Sequence, residues 1–176
     1  MLGFFRRRNP HERAGFALYT AAVRSARDPG FYTTLGVADT LDGRFDLVGL
    51  HVALLIRRLR DQPALAQAVF DAMFSDMDST LREMGVADIG VGRRIKAMME
   101  ALHGRAEAYD AALAADDRAE LASSLARNVW RNAPPGGSEP QALADWAVAQ
   151  DASLAAQPME ALLQGQVGFA PAPVPA

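Results

Sequence analysis

One apolar stripe, within residues 63–85, constrains the fold of this chain more than any other feature of its sequence. Its members are Leu65, Val69, Met73, Met77, Leu81 and Met84. Steps of three or four residues place side chains on one face of an α-helix, whereas a strand has a period of two. Similar spacing recurs along almost the whole chain, and no segment alternates as a strand does. The sequence therefore predicts an all-α fold.

Turn and cap signals divide the chain into about six or seven helices in one compact domain. The first helix is bounded by Asn9-Pro10 and Asp28-Pro29-Gly30, and we expect Phe16, Tyr19 and Val23 to form its buried stripe. A chain of 176 residues can bury most of its apolar surface without stabilisation by a disulfide or a structural metal. We expect a flexible basic and aromatic N-terminus at 1–10, a helical domain at 11–133, a C-terminal helical extension at 134–164, and a disordered Pro/Ala-rich tail at 165–176.

Composition excludes several classes of function. The chain has no cysteine, which removes disulfides, thiolate metal sites and thiol catalysis. Its net charge of -3 disfavours a globally basic nucleic-acid binder, and we expect no sequence-specific nucleic-acid partner. Every apolar run is far shorter than the roughly 20 residues of a spanning helix. Phe4 and Phe5 beside Arg6, Arg7 and Arg8 leave two alternatives open, a peripheral membrane contact and a frayed terminus.

The residues from Asp76 to Thr80 match the Asp-x-Asp-x-Thr pattern of aspartate-nucleophile phosphatases. Those enzymes carry the motif at the end of a buried strand in an α/β core, whereas here it lies within the apolar stripe of a helix. On a helix, Asp76 and Asp78 project about 200° apart, so they are unable to act on one phosphorus atom. An i,i+4 ion pair between Asp78 and Arg82 is the simpler interpretation.

Metal-binding patterns are equally incomplete. Glu100 and His103 have the Glu-x-x-His spacing of di-iron bundles, but a second such pair and two further glutamates are missing. We expect His51, in a run of leucines, to be a satisfied, half-buried histidine and not a ligand. The sequence therefore predicts no metal, no cofactor and no enzymatic activity.

What remains is a surface beside the methionine-rich helix. A basic cluster at positions 57–60 ends one predicted helix, and another at positions 93–96 begins a later one. Methionines between and after these clusters suit either a core or a groove that accepts varied apolar helices. Basic rims beside such a surface would suit a partner with apolar segments and anionic loops. The candidate partner-binding residues are Arg57, Arg58, Asp76, Asp78, Arg82, Arg93, Arg94 and Lys96.

Several short blocks, in a fixed order, add a family resemblance. They are Asp42-Gly43-Arg44-Phe45, Leu50-His51, Arg57-Arg58-Leu59, LREMGV at 81–86 and VGRRIK at 91–96. Together they resemble the ubiquinol–cytochrome c chaperone family, whose mitochondrial members are assembly factors for cytochrome b. The resemblance runs from about Ala14 to Trp130 and does not extend past Pro134.

The resemblance implies a non-catalytic chaperone that binds newly made cytochrome b, or another bc1 subunit, for assembly into ubiquinol–cytochrome c reductase. It also implies a second assembly factor or the ribosome as further partners. No mitochondrial presequence is recognised, which favours a bacterial cytoplasmic protein or one that is peripheral on the inner face of the inner membrane. Arg44 and Asp88 would serve turns and caps at least as readily as contacts. The alternatives are a small helical enzyme or lipid-binding protein of quinone metabolism, and a general helical adaptor.

Overall fold

The computed structural model describes residues 10–173, and this part of the chain forms eight α-helices and no β-strand. The helices are α1 (Pro10–Ala26), α2 (Pro29–Thr33), α3 (Leu41–Arg58), α4 (Pro63–Glu83), α5 (Asp88–Ala114), α6 (Arg118–Val129), α7 (Glu139–Ala156) and α8 (Met159–Leu163). The predicted all-α fold is confirmed. Six helices are long, and α2 and α8 each span five residues. No helix within the described range is long and apolar enough to cross a membrane.

Side-chain caps explain where several helices begin. The Thr40 hydroxyl accepts a hydrogen bond from the Gly43 amide at the start of α3, and Asp117 does the same for Glu120 at the start of α6. A Cβ on Gly43 would lie 2.0 Å from the carbonyl oxygen of Ala38, so no other residue fits this approach. Arg44 pairs with Asp39 at 2.6 Å in the same turn. The Asp-Gly-Arg-Phe block therefore forms the N-terminal turn of α3 and fixes where that helix begins.

Helix α3 lies at the centre of the core. Its side chains from Phe45 to Leu55 are all buried, and it packs against α1, α4, α5, α6 and α7. The stripe that predicted α4 is buried from Leu65 to Leu81. Helices α7 and α8, from the predicted extension at 134–164, contribute Trp146 and Leu162 to the same core. One continuous core therefore joins both parts of the chain.

Helix α1 lies against α4 at unusually short range. A Cβ on Gly15 would meet the Ala68 Cβ at 2.5 Å, so the glycine permits this approach. Tyr19 reaches Asp76 further along α4, which means that the two helices run in the same direction. The expectation that Phe16 is buried is wrong, because it is 62% exposed. The inward face of α1 instead carries Ala14, Leu18, Tyr19, Ala22 and Ala26.

Residues 165–173 of the predicted tail, which we name the strap, pack against the helices in this structure. Its main chain is bonded to distant side chains: the Trp146 indole donates to the Pro171 carbonyl at 2.9 Å, and the Ala172 amide donates to Asp28 at 3.0 Å. The Phe169 ring also packs on His51, with centroids 5.2 Å apart. These contacts fix a segment that has no regular secondary structure, because they satisfy its backbone hydrogen-bonding groups. Residues 174–176 of the tail, and Phe4 to Arg8 of the proposed membrane contact, lie outside the described residues.

Candidate functional site

The first predicted contact residues, Arg57 and Arg58, serve internal contacts. Arg57 donates to the Asp110 carboxylate and, at 3.0 Å, to Asp151, while its side chain is only 19% exposed. Burial opposes the charge of this guanidinium, but the two carboxylates outweigh it and raise the pKa of Arg57. Arg58 donates to the carbonyls of Leu154 at 2.8 Å and Gln157 at 2.9 Å. We name Arg57 and Arg58 with these four partners the clasp.

The clasp ties the end of α3 to α5 and α7. Its carbonyl partners lie at the C-terminus of α7, where the helix dipole also favours a cation. Arg60, just beyond α3, is 59% exposed and shares Asp110 at 2.9 Å. The guanidinium groups of Arg57 and Arg58 therefore bind partners within the chain.

The two aspartates of the phosphatase-like motif serve separate contacts on α4. Asp76 accepts a hydrogen bond of 2.6 Å from the Tyr19 hydroxyl. The pKa of Tyr19 is raised, mainly because the hydroxyl is buried and secondly because of this bond. Asp78 pairs with Arg82 at 2.6 Å, which confirms the predicted i,i+4 pair. Arg82 also contacts Asp88 across the turn into α5. Nothing brings the two carboxylates onto one reacting atom.

The remaining predicted cations lie where α4 ends and α5 begins. Met84 is 60% and Ile89 83% exposed there. Arg93 and Arg94 are exposed and have no hydrogen-bond or ion-pair partner within residues 10–173. We name Met84, Ile89, Arg93 and Arg94 the tip. The tip and the clasp lie at opposite ends of α4, which has 21 residues and is thus roughly 30 Å long.

Lys96 and Met84 complete the description of this end. Lys96 lies 4.0 Å from Glu100, a weak and exposed pair. Met84 was expected to continue the buried stripe of α4, but it follows the last helical residue, Glu83, and the chain turns away from the core there. The structure therefore separates the predicted site residues into three groups: the clasp, the Asp78–Arg82 pair with Asp76 nearby, and the tip with Lys96 beside it.

A groove that the sequence did not reveal runs between α1 and α4. It encloses about 680 Å³. Ala64, Ala68 and Ala72 line it one helical turn apart, and the exposed ring of Phe16 forms part of its wall. Its lining residues are His11, Glu12, Arg13, Phe16, Ala64, Gln67, Ala68, Asp71, Ala72, Ser75, Asp76 and Ser79. We name it the α1–α4 groove.

The lining of this groove is more acidic than basic. It includes the carboxylates of Glu12, Asp71 and Asp76 but only one guanidinium, that of Arg13. Asp71 accepts a hydrogen bond of 2.7 Å from Gln67, which holds one of the carboxylates on the α4 side. Alanines repeated at every fourth position are the sequence signal that could have indicated this surface, on a face of α4 about 100° from the apolar stripe. Of the predicted site residues, only Asp76 lines the groove.

His51 is a buried structural residue, as expected, although it is fully and not half buried. Its Nδ1 lies 2.8 Å from the Leu47 carbonyl and its Nε2 lies 3.0 Å from the Ser25 hydroxyl. Burial lowers its pKa to about 4, so the ring is neutral near pH 7. Rings of Phe31, Trp146 and Phe169 surround it.

Asp46 is a second buried polar residue, and its partners were missed. Its side chain is 1% exposed and contacts Arg105 of α5 and, at 2.6 Å, Arg131 beyond α6. Burial raises the pKa of Asp46, although both guanidinium groups act in the opposite direction. Within residues 10–173, no group of three or more His, Asp or Glu side chains could hold a metal ion. These polar clusters therefore support the fold.

Comparisons with known proteins agree with this architecture. The model of the family described as ubiquinol-cytochrome C chaperone matches residues 33–169. A Xenopus laevis protein named ubiquinol-cytochrome-c reductase complex assembly factor 1 is 24% identical over 123 residues, which cover 68% of this chain. The chain spans 59% of the length of that relative. A solved structure, the Cbp3 homolog from Brucella abortus, superposes with a TM-score of 0.82 at 33% identity, covering 95% of this chain and 94% of the other.

Proposed function

This chain belongs to the ubiquinol–cytochrome c chaperone family, and we propose that it is a non-catalytic assembly chaperone for the bc1 complex. Its client in this proposal is newly made cytochrome b, held until it joins ubiquinol–cytochrome c reductase. The family match carries the proposal, because the matched residues 33–169 extend from the end of α2 into the strap. The name of the Xenopus laevis relative, an assembly factor for the same complex, supports it.

We propose the α1–α4 groove as the surface that receives the client. Small side chains such as those of Ala64, Ala68 and Ala72 allow an incoming helix to approach the backbone of α4 closely. The Phe16 ring is an exposed aromatic group on the edge of the groove, the kind of residue that anchors interfaces. A membrane protein caught before insertion exposes apolar helices, which need such a surface to avoid aggregation.

The acidic lining suits the loops of a membrane client. Loops of membrane proteins that stay on the side of synthesis carry an excess of lysine and arginine. Glu12, Asp71 and Asp76 would attract such loops and orient the client along the groove. From the sequence we expected a basic rim that binds anionic loops of the partner. We now propose the reverse, an acidic groove that binds basic loops of the client. Asp76 is thus our proposed client contact, while Asp78 and Arg82 brace α4 beside it.

Deleting the gene tests the chaperone function. We expect membranes of the deletion strain to lose haem b absorbance, in reduced-minus-oxidised spectra, together with ubiquinol–cytochrome c reductase activity. The wild-type gene should restore both. A deletion strain with normal haem b and normal reductase activity would exclude the proposed function.

Complementation with variants then tests the groove. Phe16→Glu should fail to restore haem b, because it places a charge where an apolar helix would pack. The matched control is Leu163→Glu, at an apolar residue of α8 that is 38% exposed and does not line the groove. Leu163→Glu should restore the complex. If Phe16→Glu restored it equally well, the client would bind elsewhere.

A second candidate is a lipid-binding protein of quinone metabolism. The groove volume of about 680 Å³ lies within the usual range for small-molecule sites. Three carboxylates in the lining oppose an isoprenoid tail, so we rank this candidate lower. Saturable quinone binding by the purified chain, with normal haem b in the deletion strain, would favour it over the chaperone.

A further inference from the structure

The tip exposes two large apolar side chains that nothing in the domain covers. Met84 and Ile89 flank the turn between α4 and α5, and they are two of the most exposed large apolar residues in the described range. At the turn itself, Gly85 has φ +82 and no atom within 4 Å of a built Cβ, so the turn projects from the domain. Apolar side chains that project from a helical hairpin indicate a contact with another phase or partner.

Cations follow these apolar residues at a fixed spacing. Ile89, Arg93 and Lys96 are related as i, i+4 and i+7, so they share one face of α5. At 1.5 Å per residue, Arg93 lies roughly 6 Å and Lys96 roughly 10 Å behind Ile89 along the helix axis. The first anion on that face is Glu100, roughly 16 Å behind. On this one face of α5, the order from the end of the hairpin inward is therefore apolar, cationic and only then anionic.

The carboxylates nearest the tip do not cancel its positive charge. Asp78 and Asp88 are both paired with Arg82. The other acid in this turn is Glu83, at the end of α4. These three carboxylates face four cations at this end of the hairpin, which are Arg82, Lys96 and the two guanidinium groups without partners, Arg93 and Arg94. The end of the hairpin therefore has one more cation than carboxylates, although the whole chain carries a net charge of -3.

We propose that the tip is a membrane-contacting element, which inserts Met84 and Ile89 into the surface of a bilayer that contains anionic phospholipids. The headgroup layer on each side of a bilayer is roughly 5–8 Å thick. With Ile89 at its inner boundary, Arg93 reaches the phosphates and Lys96 stays at the outer edge. Helices α4 and α5 then stand away from the membrane, with the clasp at the far end. This inference does not depend on the client or on the α1–α4 groove.

Flotation of the purified full chain with lipid vesicles tests the proposal. We expect binding to vesicles of phosphatidylcholine mixed with phosphatidylglycerol, much weaker binding to phosphatidylcholine alone, and a decrease as salt is added. Ile89→Glu should lower binding at least about tenfold, because the apolar contact is lost. Arg93→Gln/Arg94→Gln should lower binding to the anionic vesicles by about tenfold or more. Circular dichroism checks that the variants remain helical.

Matched controls separate the tip from other sources of binding. Arg13→Gln/Arg60→Gln removes the same charge near the opposite end of α4, and Leu163→Glu replaces an exposed apolar residue elsewhere. Both should bind as wild type, as should Phe4→Glu/Phe5→Glu at the N-terminus. The proposal is overturned if the wild type does not bind anionic vesicles, if the tip variants bind normally, or if the control variants lose as much binding as the tip variants.

Discussion

The basic residues that end α3 and those that begin α5 form two clusters that look alike in the sequence and differ in their surroundings. Arg57 and Arg58 meet two carboxylates and two helix-terminal carbonyls, supplied by α5 and α7. Arg93 and Arg94 meet no partner within the described range. The first cluster therefore stabilises the domain, while the second remains available to an external partner.

Whether the charged residues at a helix end are paired therefore depends on elements that come later in the chain. The partners of Arg57 lie 53 and 94 residues further along the chain. The strap closes the same side of the molecule, and Gln157 belongs to both features, because its carbonyl accepts from Arg58 and its side chain bonds to Gly168. Among residues 10–173, no later element covers the tip, whose side chains are exposed.

The largest expected effect lies beneath the strap, at His51. Its pKa is about 4 in the folded chain, against 6.5 for an ordinary histidine. Below pH 6.5 the unfolded chain takes up a proton that the folded chain does not, so stability falls as pH decreases toward 4. The loss from this residue should reach roughly 3 kcal/mol in the free energy of unfolding. Urea unfolding at several pH values measures it.

His51→Gln is the control for this pH dependence. The variant should be less stable at every pH, but its unfolding free energy should change less between pH 6.5 and 4.5 than that of the wild type. Equal slopes would mean that His51 is protonated in the fold.

The clasp gives the next largest effect. Arg57→Ala leaves Asp110 and Asp151 without their half-buried partner, and we expect a loss of about 2 kcal/mol. In a chain of this size, that loss lowers Tm by about 4–8 °C, measured by calorimetry. Arg60→Ala is the matched control, because Arg60 is 59% exposed and shares Asp110. Equal effects of the two substitutions would contradict the distinction between the clasp and surface charge.

The anchor of the strap should have a smaller effect. Asp28 accepts from the Gly30 amide at the start of α2 and from the Ala172 amide of the strap. Asp28→Ala should therefore cost about 1 kcal/mol. The more specific readout is faster hydrogen exchange at the Ala172 amide, which the exposed control Asp61→Ala should leave unchanged. An unchanged exchange rate in Asp28→Ala would show that the strap is held without this anchor.

At the tip, the expected effect on stability is the smallest. Arg93→Ala removes no intramolecular partner and should change the free energy of unfolding by less than about 0.5 kcal/mol. Urea unfolding in parallel with Arg57→Ala gives the comparison directly. A cost similar to that of Arg57→Ala would mean that the tip is a second clasp and not an open surface.

Local sequence patterns predicted the helices, whereas contacts between residues far apart in the sequence were not predicted. The stripe from Leu65 to Leu81 and the Asp78–Arg82 pair depend on neighbours along one helix, and both were correct. The strap depends on backbone amides that meet Asp28 and Gln150, far away in sequence, so its alanines and prolines carried no signal. Phe169 was the residue that could have indicated docking.

The candidate site was predicted least completely, for the same physical reason. A basic residue is typical of a surface, and only tertiary packing shows that Arg57 is occupied while Arg93 is not. Phe16 has the spacing of a core residue, but Gly15 and Ala68 bring α1 so close to α4 that Phe16 lies at the edge of the groove. The resemblance identified the family, whereas the groove and the tip, on which our proposals rest, became visible only in the structure.

Site-specific photo-crosslinking in cells measures whether the α1–α4 groove contacts newly made cytochrome b. A photoreactive residue in place of Phe16 should form an adduct with newly made cytochrome b, and the same residue in place of Leu163 should not. The adduct should also be lost when Asp71→Lys/Asp76→Lys reverses the charge of the lining. The α1–α4 groove is not the client surface if cytochrome b is absent from the Phe16 adducts, or if both positions yield it equally.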